Sequence, residues 1–162
     1  MATKIEAAEK QLDRVLSFFV RVDAKGTALF AIDSGLLAVM GARIKVAHLQ
    51  EWLVFVPAAF ATIAVVVSLT YLYFGAYPQL KGGAGSLIYF AEISARTETQ
   101  FLKDYKAATD AERLDDVLQQ IWRNSEILKQ KFHAVRWALT WTAVALVPWV
   151  WFLVASSLSR AA

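Results

Sequence analysis

Three apolar stretches with almost no charge constrain this chain more than any other feature of its sequence. Residues 52–80 and 137–159 contain no Asp, Glu, Lys or Arg, and each exceeds the roughly 20 residues that a helix needs to cross a bilayer. Residues 26–42 are interrupted only by Asp33 and meet the lower length limit of about 17 residues. The sequence therefore predicts an all-α membrane protein with three transmembrane helices.

The basic residues are distributed unequally between the two sides that three spans would separate. Of the 17 Lys and Arg residues, all but Arg43, Lys45 and Arg160 lie before the first stretch or between the second and third. Because cytoplasmic segments carry the excess of Lys and Arg, both regions are predicted to be cytosolic. The predicted order is a cytosolic amphipathic helix at 1–25, a first span at 26–42, an extracytoplasmic turn at 43–51, a second span at 52–77, a cytosolic helical sensor region at 78–136 and a third span at 137–158.

Composition excludes several classes of function. The chain has no Cys, which excludes disulfides, thiolate catalysis and Cys-ligated metal centres. Its net charge of +3 is modest and lies beside the predicted membrane, where anionic headgroups account for it, so no nucleic-acid partner is expected. His48 and His133 fall on opposite sides of that membrane and cannot form a metal pair. No catalytic residue, metal site or enzymatic activity is therefore predicted.

Amphipathic helices are predicted on the cytosolic side. Apolar residues recur at three- and four-residue steps through the N-terminal arm, and again from about Ala111 onwards. No helix breaker separates the second of these helices from Trp137, so it is expected to continue into the third span. Together with a helix through Phe101 and Tyr105, these segments are predicted to form a small cytosolic bundle.

Candidate ligand residues lie in the predicted sensor region. Basic side chains can bind an anion and an aromatic ring can stack on a base, and the predicted ligand-binding set is Arg96, Lys103, Arg113, Trp122 and Arg123. The alternative is that these residues form solvated faces of amphipathic helices. The glycine-rich run at 81–86 is either a phosphate cradle before a helix or a flexible exit from the membrane. The second interpretation is favoured because the run lacks the spacing of a Walker motif.

The first predicted span combines a charged residue with a stripe of small ones. The stripe would let another helix approach closely and consists of Ala24, Ala28, Ala31, Gly35, Ala38 and Ala42. Asp33 lies on the opposite face, and an ionised carboxylate at mid-span costs on the order of 2.5 to 3.5 kcal/mol. One interpretation is that a second copy of the chain covers one of these faces, which predicts a homo-oligomer and gives Asp33 a role in an assembled conduit. The other is that Asp33 bonds to a hydroxyl of its own subunit, with Thr62, Ser68, Thr140 and Thr142 as candidates, or that its carboxyl group is neutral.

Four segments, taken in order, resemble the transmembrane effectors of the Pycsar antiphage system. They are residues 23–29, which open the first span and include Asp23 and Lys25, and residues 87–93, 120–122 and 127–132. The resemblance extends from about residue 23 to residue 158. It implies a bacterial inner-membrane protein with a periplasmic C-terminus, and a partner cyclase that makes cyclic CMP or cyclic UMP after phage infection. The effector would respond by damaging the inner membrane and arresting growth.

Two non-enzymatic functions remain open at this point. One is a toxic membrane effector that a cyclic pyrimidine nucleotide activates. The other is a membrane adaptor whose cytosolic helices dock a soluble partner, and it would cause no leakage of dye across the membrane. A small transporter is disfavoured, because three spans provide no inverted repeat and few polar groups within the membrane.

Overall fold

The computed structural model describes residues 2–46, 50–79 and 83–159, and within these ranges the chain forms five helices and no strand. The helices are α1 (Ala2–Arg43), α2 (Trp52–Ala76), α3 (Phe90–Ser94), α4 (Glu98–Ala107) and α5 (Asp110–Leu158). The all-helical fold predicted from the sequence is confirmed. The predictions that concern His48, Lys81, Gly82 and Arg160 lie outside the described residues.

The first helix is uninterrupted over 42 residues, and it contains both the predicted cytosolic arm and the predicted span that begins at Gly26. Its buried side chains include Ala8, Val15, Val22, Leu29 and Leu36, which lie seven residues apart, the repeat of a coiled-coil seam. A glycine inside a helix costs only about 1 kcal/mol relative to alanine. Packing along this seam therefore carries α1 past the glycine without a break.

The last helix is also continuous, over 49 residues, and this confirms the predicted extension of the second amphipathic helix into the last apolar stretch. Ala138, Ala145 and Phe152 are buried at the same seven-residue spacing. Pro148 lies inside α5 and has no N–H to donate to the carbonyl of Val144. A kink at Pro148 stays a prediction.

The chain divides into two compact units. Unit 1 contains Met1–Arg21 and Pro78–Gln130, and unit 2 contains Val22–Tyr77 and Lys131–Ala162. Unit 1 thus combines the first half of α1 with α3, α4 and the first part of α5, which are the segments predicted to form one bundle. Because α1 and α5 are uninterrupted, each of them contributes residues to both units.

The core of unit 2 consists of three apolar layers, and each layer takes residues from α1, α2 and α5. The layers include Leu29, Leu72 and Ala138 in the first, Leu36, Val65 and Ala145 in the second, and Met40, Ala61 and Phe152 in the third. Alanines on α2 and α5 let the helix backbones approach closely, as small residues do in membrane bundles.

Two of the described helices, α2 and α5, are long and apolar enough to cross a membrane. The apolar part of α1 is shorter, at residues 26–42, and it carries the charged Asp33. The third span and the cytosolic location of the bundle therefore stay predictions.

Candidate ligand site

Unit 1 contains a cavity of about 870 Å³, a volume within the range of roughly 300–1,000 Å³ that is typical of small-molecule sites. Its walls come from four segments: the first half of α1, the loop residues 84–88 that precede α3, helix α4, and the first turns of α5. Of the predicted ligand residues, Arg96 and Arg113 line this cavity, and Tyr105 lines it beside them. The cavity therefore combines two cations with one aromatic ring.

Arg113 has a donor that the described part of the protein does not use. Its Nη2 donates to the carbonyl of Tyr105 at 3.1 Å, and its guanidinium carbon lies 4.8 Å from the centre of the Tyr105 ring. Its Nε is buried and has no hydrogen-bond partner among the described residues. A buried donor without an acceptor costs roughly 1–3 kcal/mol, so a ligand oxygen that accepts from Nε would recover this energy.

Arg96, by contrast, is engaged by the protein itself. Its Nη1 donates to the carbonyl of Ser86 and its Nη2 to the carbonyl of Gly85, both at 2.8 Å. Its Nε lies 3.7 Å from Oδ2 of Asp104 on α4. Arg96 therefore holds the loop before α3 in position, and it shapes the cavity wall without offering a free guanidinium face.

The backbone amides of this loop are also engaged. The N–H of Gly85, a residue with a φ of +82°, donates to Oε2 of Glu92 at 2.9 Å. The N–H of Leu87 donates to Oδ2 of Asp116 at 2.8 Å, and the next two N–H groups donate to Oγ of Ser86. A phosphate would have to displace these acceptors, so the geometry does not favour the phosphate-cradle interpretation of the glycine-rich run.

Carboxylates outnumber guanidinium groups around the cavity, and the acidic residues that line it are Glu9, Asp104, Glu112, Asp115 and Asp116. Glu112 accepts the backbone N–H and the hydroxyl of Thr109 at 2.7 and 2.8 Å. The backbone hydrogen bond first, and the hydroxyl second, lower the pKa of the Glu112 carboxyl below its ordinary value. An ionised carboxylate only accepts hydrogen bonds, so this wall suits hydroxyl and N–H donors of a ligand.

The other three predicted ligand residues do not line the cavity. Lys103 is exposed on α4, and Trp122 on α5 is 63% exposed. Arg123 is half-buried, and its Nε, like that of Arg113, has no hydrogen-bond partner in the described ranges. The structure thus brings together two of the five predicted residues.

Asp33 is fully buried in unit 2. Ser68 Oγ donates to Asp33 Oδ2 at 2.6 Å, and Thr142 Oγ1 donates to Asp33 Oδ1 at 2.9 Å. Both hydroxyl oxygens also lie 3.0 Å from the carbonyl oxygen of Ala138. These groups form one polar layer between the first and second apolar layers, and the structure agrees with the intrasubunit interpretation of Asp33.

The two remaining hydroxyl candidates bond to their own helices. Thr62 donates to the carbonyl of Ala58, and Thr140 donates to the carbonyl of Arg136. The stripe of small residues on α1, from Ala24 to Ala42, is exposed along its whole length. No described residue of the subunit covers this stripe.

The charged residues of segment 23–29 have different surroundings. Asp23 Oδ1 lies 2.7 Å from Nζ of Lys131, whereas Lys25 is exposed.

His133 Nε2 accepts a hydrogen bond from Trp137 Nε1 at 2.9 Å. Within the part of the chain that the structure describes, no group of three or more His, Cys, Asp or Glu residues could hold a metal ion.

A family model described as the Pycsar effector protein domain matches residues 7–156. The match thus covers all but a few residues at either end of the chain. No curated protein and no solved structure matches the chain significantly.

Proposed function

Because this chain belongs to the family of Pycsar antiphage effectors, we propose that a cyclic pyrimidine nucleotide activates it to impair the bacterial inner membrane. A partner cyclase would supply cyclic CMP or cyclic UMP after phage infection. Loss of membrane integrity would then arrest growth or kill the infected cell. The protein would act without catalysing a reaction, as a receptor and a membrane-active element in one chain.

The unit 1 cavity is the proposed ligand site, and the unused Nε donor of Arg113 is the observation that carries this proposal. A cyclic nucleotide has one phosphate charge, a ribose hydroxyl and a flat base. Arg113 suits the phosphate through charge-assisted hydrogen bonds, and the aromatic ring of Tyr105, which also lines the cavity, lies 4.8 Å from its guanidinium carbon. The acidic wall suits the donors of the ribose and the base.

Titration of the purified full-length protein with cyclic CMP and cyclic UMP tests the ligand site. Arg113→Ala should weaken binding roughly 10- to 100-fold, since a hydrogen bond to a charged group contributes about 1.5–3 kcal/mol. Lys103→Ala is the matched control, because Lys103 is a basic residue of unit 1 that does not line the cavity. The affinity of this variant for the nucleotide should equal that of the wild type. No binding of either nucleotide to the wild type would remove the proposal. Equal losses of affinity in both variants would show that the nucleotide does not bind in this cavity.

The membrane effect is proposed to depend on the uninterrupted helix α5. It contains Arg113 of the ligand cavity and continues to Leu158 in the last apolar stretch, so the proposed route of a ligand-dependent change is along one continuous helix. A ligand shifts such an equilibrium only through unequal affinity for the two states. Dye uptake by cells that express the protein and its cyclase measures the effect. Asp33→Leu should alter the uptake if Asp33 lines a conduit, and unchanged uptake at equal expression would make Asp33 structural.

We further propose three spans, at 26–42, 52–77 and 137–158, with the N-terminus and unit 1 in the cytosol. The burial of Asp33 against hydroxyls on α2 and α5 supports the first of these spans, because a carboxylate whose charge is met by donors no longer faces lipid. The excess of Lys and Arg outside residues 43–51 and the C-terminal end supports the orientation.

A homo-oligomer is proposed from the exposed stripe of small residues between Ala24 and Ala42 on α1. Such stripes let two membrane helices pack closely, and the described part of the subunit leaves this one uncovered. Cross-linking in native membranes before and after addition of the nucleotide tests the assembly. Monomers alone under both conditions would refute it.

A membrane adaptor is the second candidate function, and the exposed apolar residues of unit 1 favour it. Phe90 and Trp122 are 64% and 63% exposed, and exposed aromatic residues are frequent in protein interfaces. An adaptor would bind a soluble protein through these residues without any dye uptake. The uptake measurement therefore separates the two functions.

A further inference from the structure

Unit 2 contains a second cavity, of about 480 Å³, that the proposed nucleotide response does not use. Helices α1, α2 and α5 all line it, and most of its wall is apolar, including Val22, Leu69, Leu72 and Val135. The volume falls within the range of roughly 300–1,000 Å³ that is typical of small-molecule sites. The cavity is therefore large enough for part of a ligand, and its walls suit a hydrocarbon.

A glycine leaves room on the α1 side of this cavity. A Cβ atom built on Gly26 would lie 3.8 Å from Val135 Cγ2 and 3.9 Å from Leu72 Cδ2, which are ordinary contact distances. A larger side chain at this lining position would occupy cavity space. Phe30 and Tyr73 also line the cavity and are themselves largely exposed, so the cavity has an open rim.

One ion pair interrupts the apolar wall. Asp23 Oδ1 and Lys131 Nζ are 2.7 Å apart, and the Asp23 side chain is 56% exposed while that of Lys131 is 18% exposed. Both residues line the cavity. The pair presents one charge of each sign at the edge of a hydrocarbon-like surface.

The cavity lies at the end of α2 and beside the start of the charge-free part of α5, the two helices that are apolar enough to cross a membrane. Residues 69–76 form the last turns of α2, and residues 131–135 of α5 precede the charge-free residues 137–159. Tyr71 stacks on Trp137 beside this region, with ring centres 6.2 Å apart. Aromatic residues favour the depth at which acyl chains meet headgroups. At that depth, the hydrocarbon available to an open apolar cavity is a lipid chain.

We propose that this cavity binds a zwitterionic glycerophospholipid with an ethanolamine headgroup. One acyl chain lies against the apolar wall, the ammonium lies near Asp23 and the phosphate lies near Lys131. Charge complementarity carries the choice of headgroup, because the ion pair offers both signs where an anionic lipid would match only one. The inference rests on the proposed arrangement of three spans, since α1 must lie in the membrane beside α2 and α5.

The test uses the full-length protein in vesicles that contain a trace of phosphatidylethanolamine with a photoreactive diazirine in one acyl chain. After irradiation, peptide mapping should find more label on the cavity residues Leu69 and Leu72 than on the exposed Ile63 of the same helix. Gly26→Leu should lower the cavity label about tenfold, the effect of a loss of about 1.4 kcal/mol in binding. Label on the cavity residues no stronger than on Ile63 would overturn the proposal.

The matched control is Gly41→Leu, the same change on the same helix at an exposed position outside the small-residue stripe, where a built Cβ meets nothing within 4 Å. It should leave the cavity label unchanged, and an equal decrease in both variants would refute the site. Ala76→Leu fills the cavity from α2 and should repeat the Gly26→Leu result, which guards against a local folding defect in α1. Covalent dimers formed through cavity residues would instead identify a second copy of the chain as the occupant.

The headgroup is tested by repeating the experiment with a photoreactive phosphatidylglycerol. The wild type should be labelled more strongly by the ethanolamine lipid, and Asp23→Asn should abolish that preference. Equal labelling of the wild type by both lipids would refute the headgroup assignment. Titration of Gly26→Leu with the cyclic nucleotides is measured in parallel, so that failure of the lipid site and failure of the nucleotide response are told apart.

Discussion

The hydrogen bonds of Asp33 do not have equal consequences for the groups that make them. The carboxylate receives hydrogen bonds from Ser68 and Thr142, whereas each hydroxyl also lies 3.0 Å from the Ala138 carbonyl oxygen. Loss of the carboxylate leaves both hydroxyls with an acceptor. Loss of a hydroxyl leaves the buried carboxylate with one hydrogen-bond donor fewer. A buried polar group that loses its partner lowers the stability of the fold by its full cost of desolvation. Asp33 thus depends on its partners more than they depend on it.

This asymmetry predicts the outcome of a double-mutant cycle. Ser68→Ala should lower the free energy of unfolding by about 1.5–3 kcal/mol in the wild type, the usual contribution of a hydrogen bond to a charged group. The same change should cost little in an Asp33→Leu background, measured by denaturant unfolding in detergent. Thr70→Ala is the control, because the Thr70 hydroxyl donates only to a carbonyl of its own helix, that of Val66. Equal costs of Ser68→Ala in both backgrounds would contradict the prediction.

At the scale of helices, the predictions that succeeded relied on patterns local to the chain. The absence of charge in residues 52–80 and 137–159 predicts α2 and the last part of α5, and the lack of a breaker before Trp137 predicts the continuity of α5. The seven-residue repeat through Val15 and Leu29 is equally visible in the sequence, and it indicates that the helix continues past Gly26, where the predicted first span begins. Composition therefore predicts where a span begins, whereas the packing seam predicts where the helix is continuous.

The candidate site was less predictable, because side-chain partners depend on how distant segments fold together. The carbonyl groups that accept hydrogen bonds from Arg96 belong to a loop whose conformation cannot be predicted from local sequence patterns. Asp23 and Lys131 pair across 108 residues. The pattern Thr109-x-x-Glu112 is an exception, since a Ser or Thr followed three residues later by Glu is a known capping box, and it marks the start of α5 that apolar periodicity alone predicts at about Ala111.

The close contact between α2 and α5 at Gly75 predicts a steric effect. A Cβ atom at this position would lie only 2.8 Å from Cβ of Ala134, and neither atom is the end of a flexible side chain. Gly75→Ala should therefore destabilise unit 2 by about 1–3 kcal/mol, the usual cost of overpacking, measured by thermal unfolding. Gly41→Ala is the control, because its Cβ would meet nothing within 4 Å, and it should not lower the melting temperature. A Gly75→Ala protein as stable as the wild type would show that the helices move apart at little cost.

The capping box before α5 predicts a pH dependence. Its hydrogen bonds lower the pKa of Glu112 in the folded state relative to the ordinary value of 4.5. A lowered folded-state pKa means that the stabilisation is present above the unfolded value and is lost as the pH falls through the folded one. The melting temperature of Glu112→Gln should thus lie below that of the wild type at pH 7, and the two should converge as the pH falls below 4.5. A difference that is constant with pH would contradict this assignment.

For the whole molecule, the two uninterrupted helices are the most consequential feature. α1 and α5 each contain residues of both units, so the proposed receptor and the proposed membrane-active part share helices without a linker between them. The continuous helices are therefore the proposed route by which a change in the receptor would reach the membrane-active part. The number of spans therefore decides whether the proposed receptor can work, because unit 1 can bind a cytosolic nucleotide only if all of its segments lie on the cytosolic side of the membrane.

The absence of Cys from the sequence allows a direct test of this arrangement with single cysteines. Ser17→Cys, Gln50→Cys and Ser125→Cys alter exposed positions before the first predicted span, between the first two and between the last two. In cells with a permeabilised outer membrane, a membrane-impermeant maleimide should label only Gln50→Cys, and lysis should expose the other two. If α1 does not cross, Ser17→Cys and Gln50→Cys should behave alike and Ser125→Cys should react from the opposite side. In that case the α1 segment of unit 1 would lie on one side of the bilayer and the rest of unit 1 on the other. A cytosolic nucleotide receptor that contains both parts would then be ruled out.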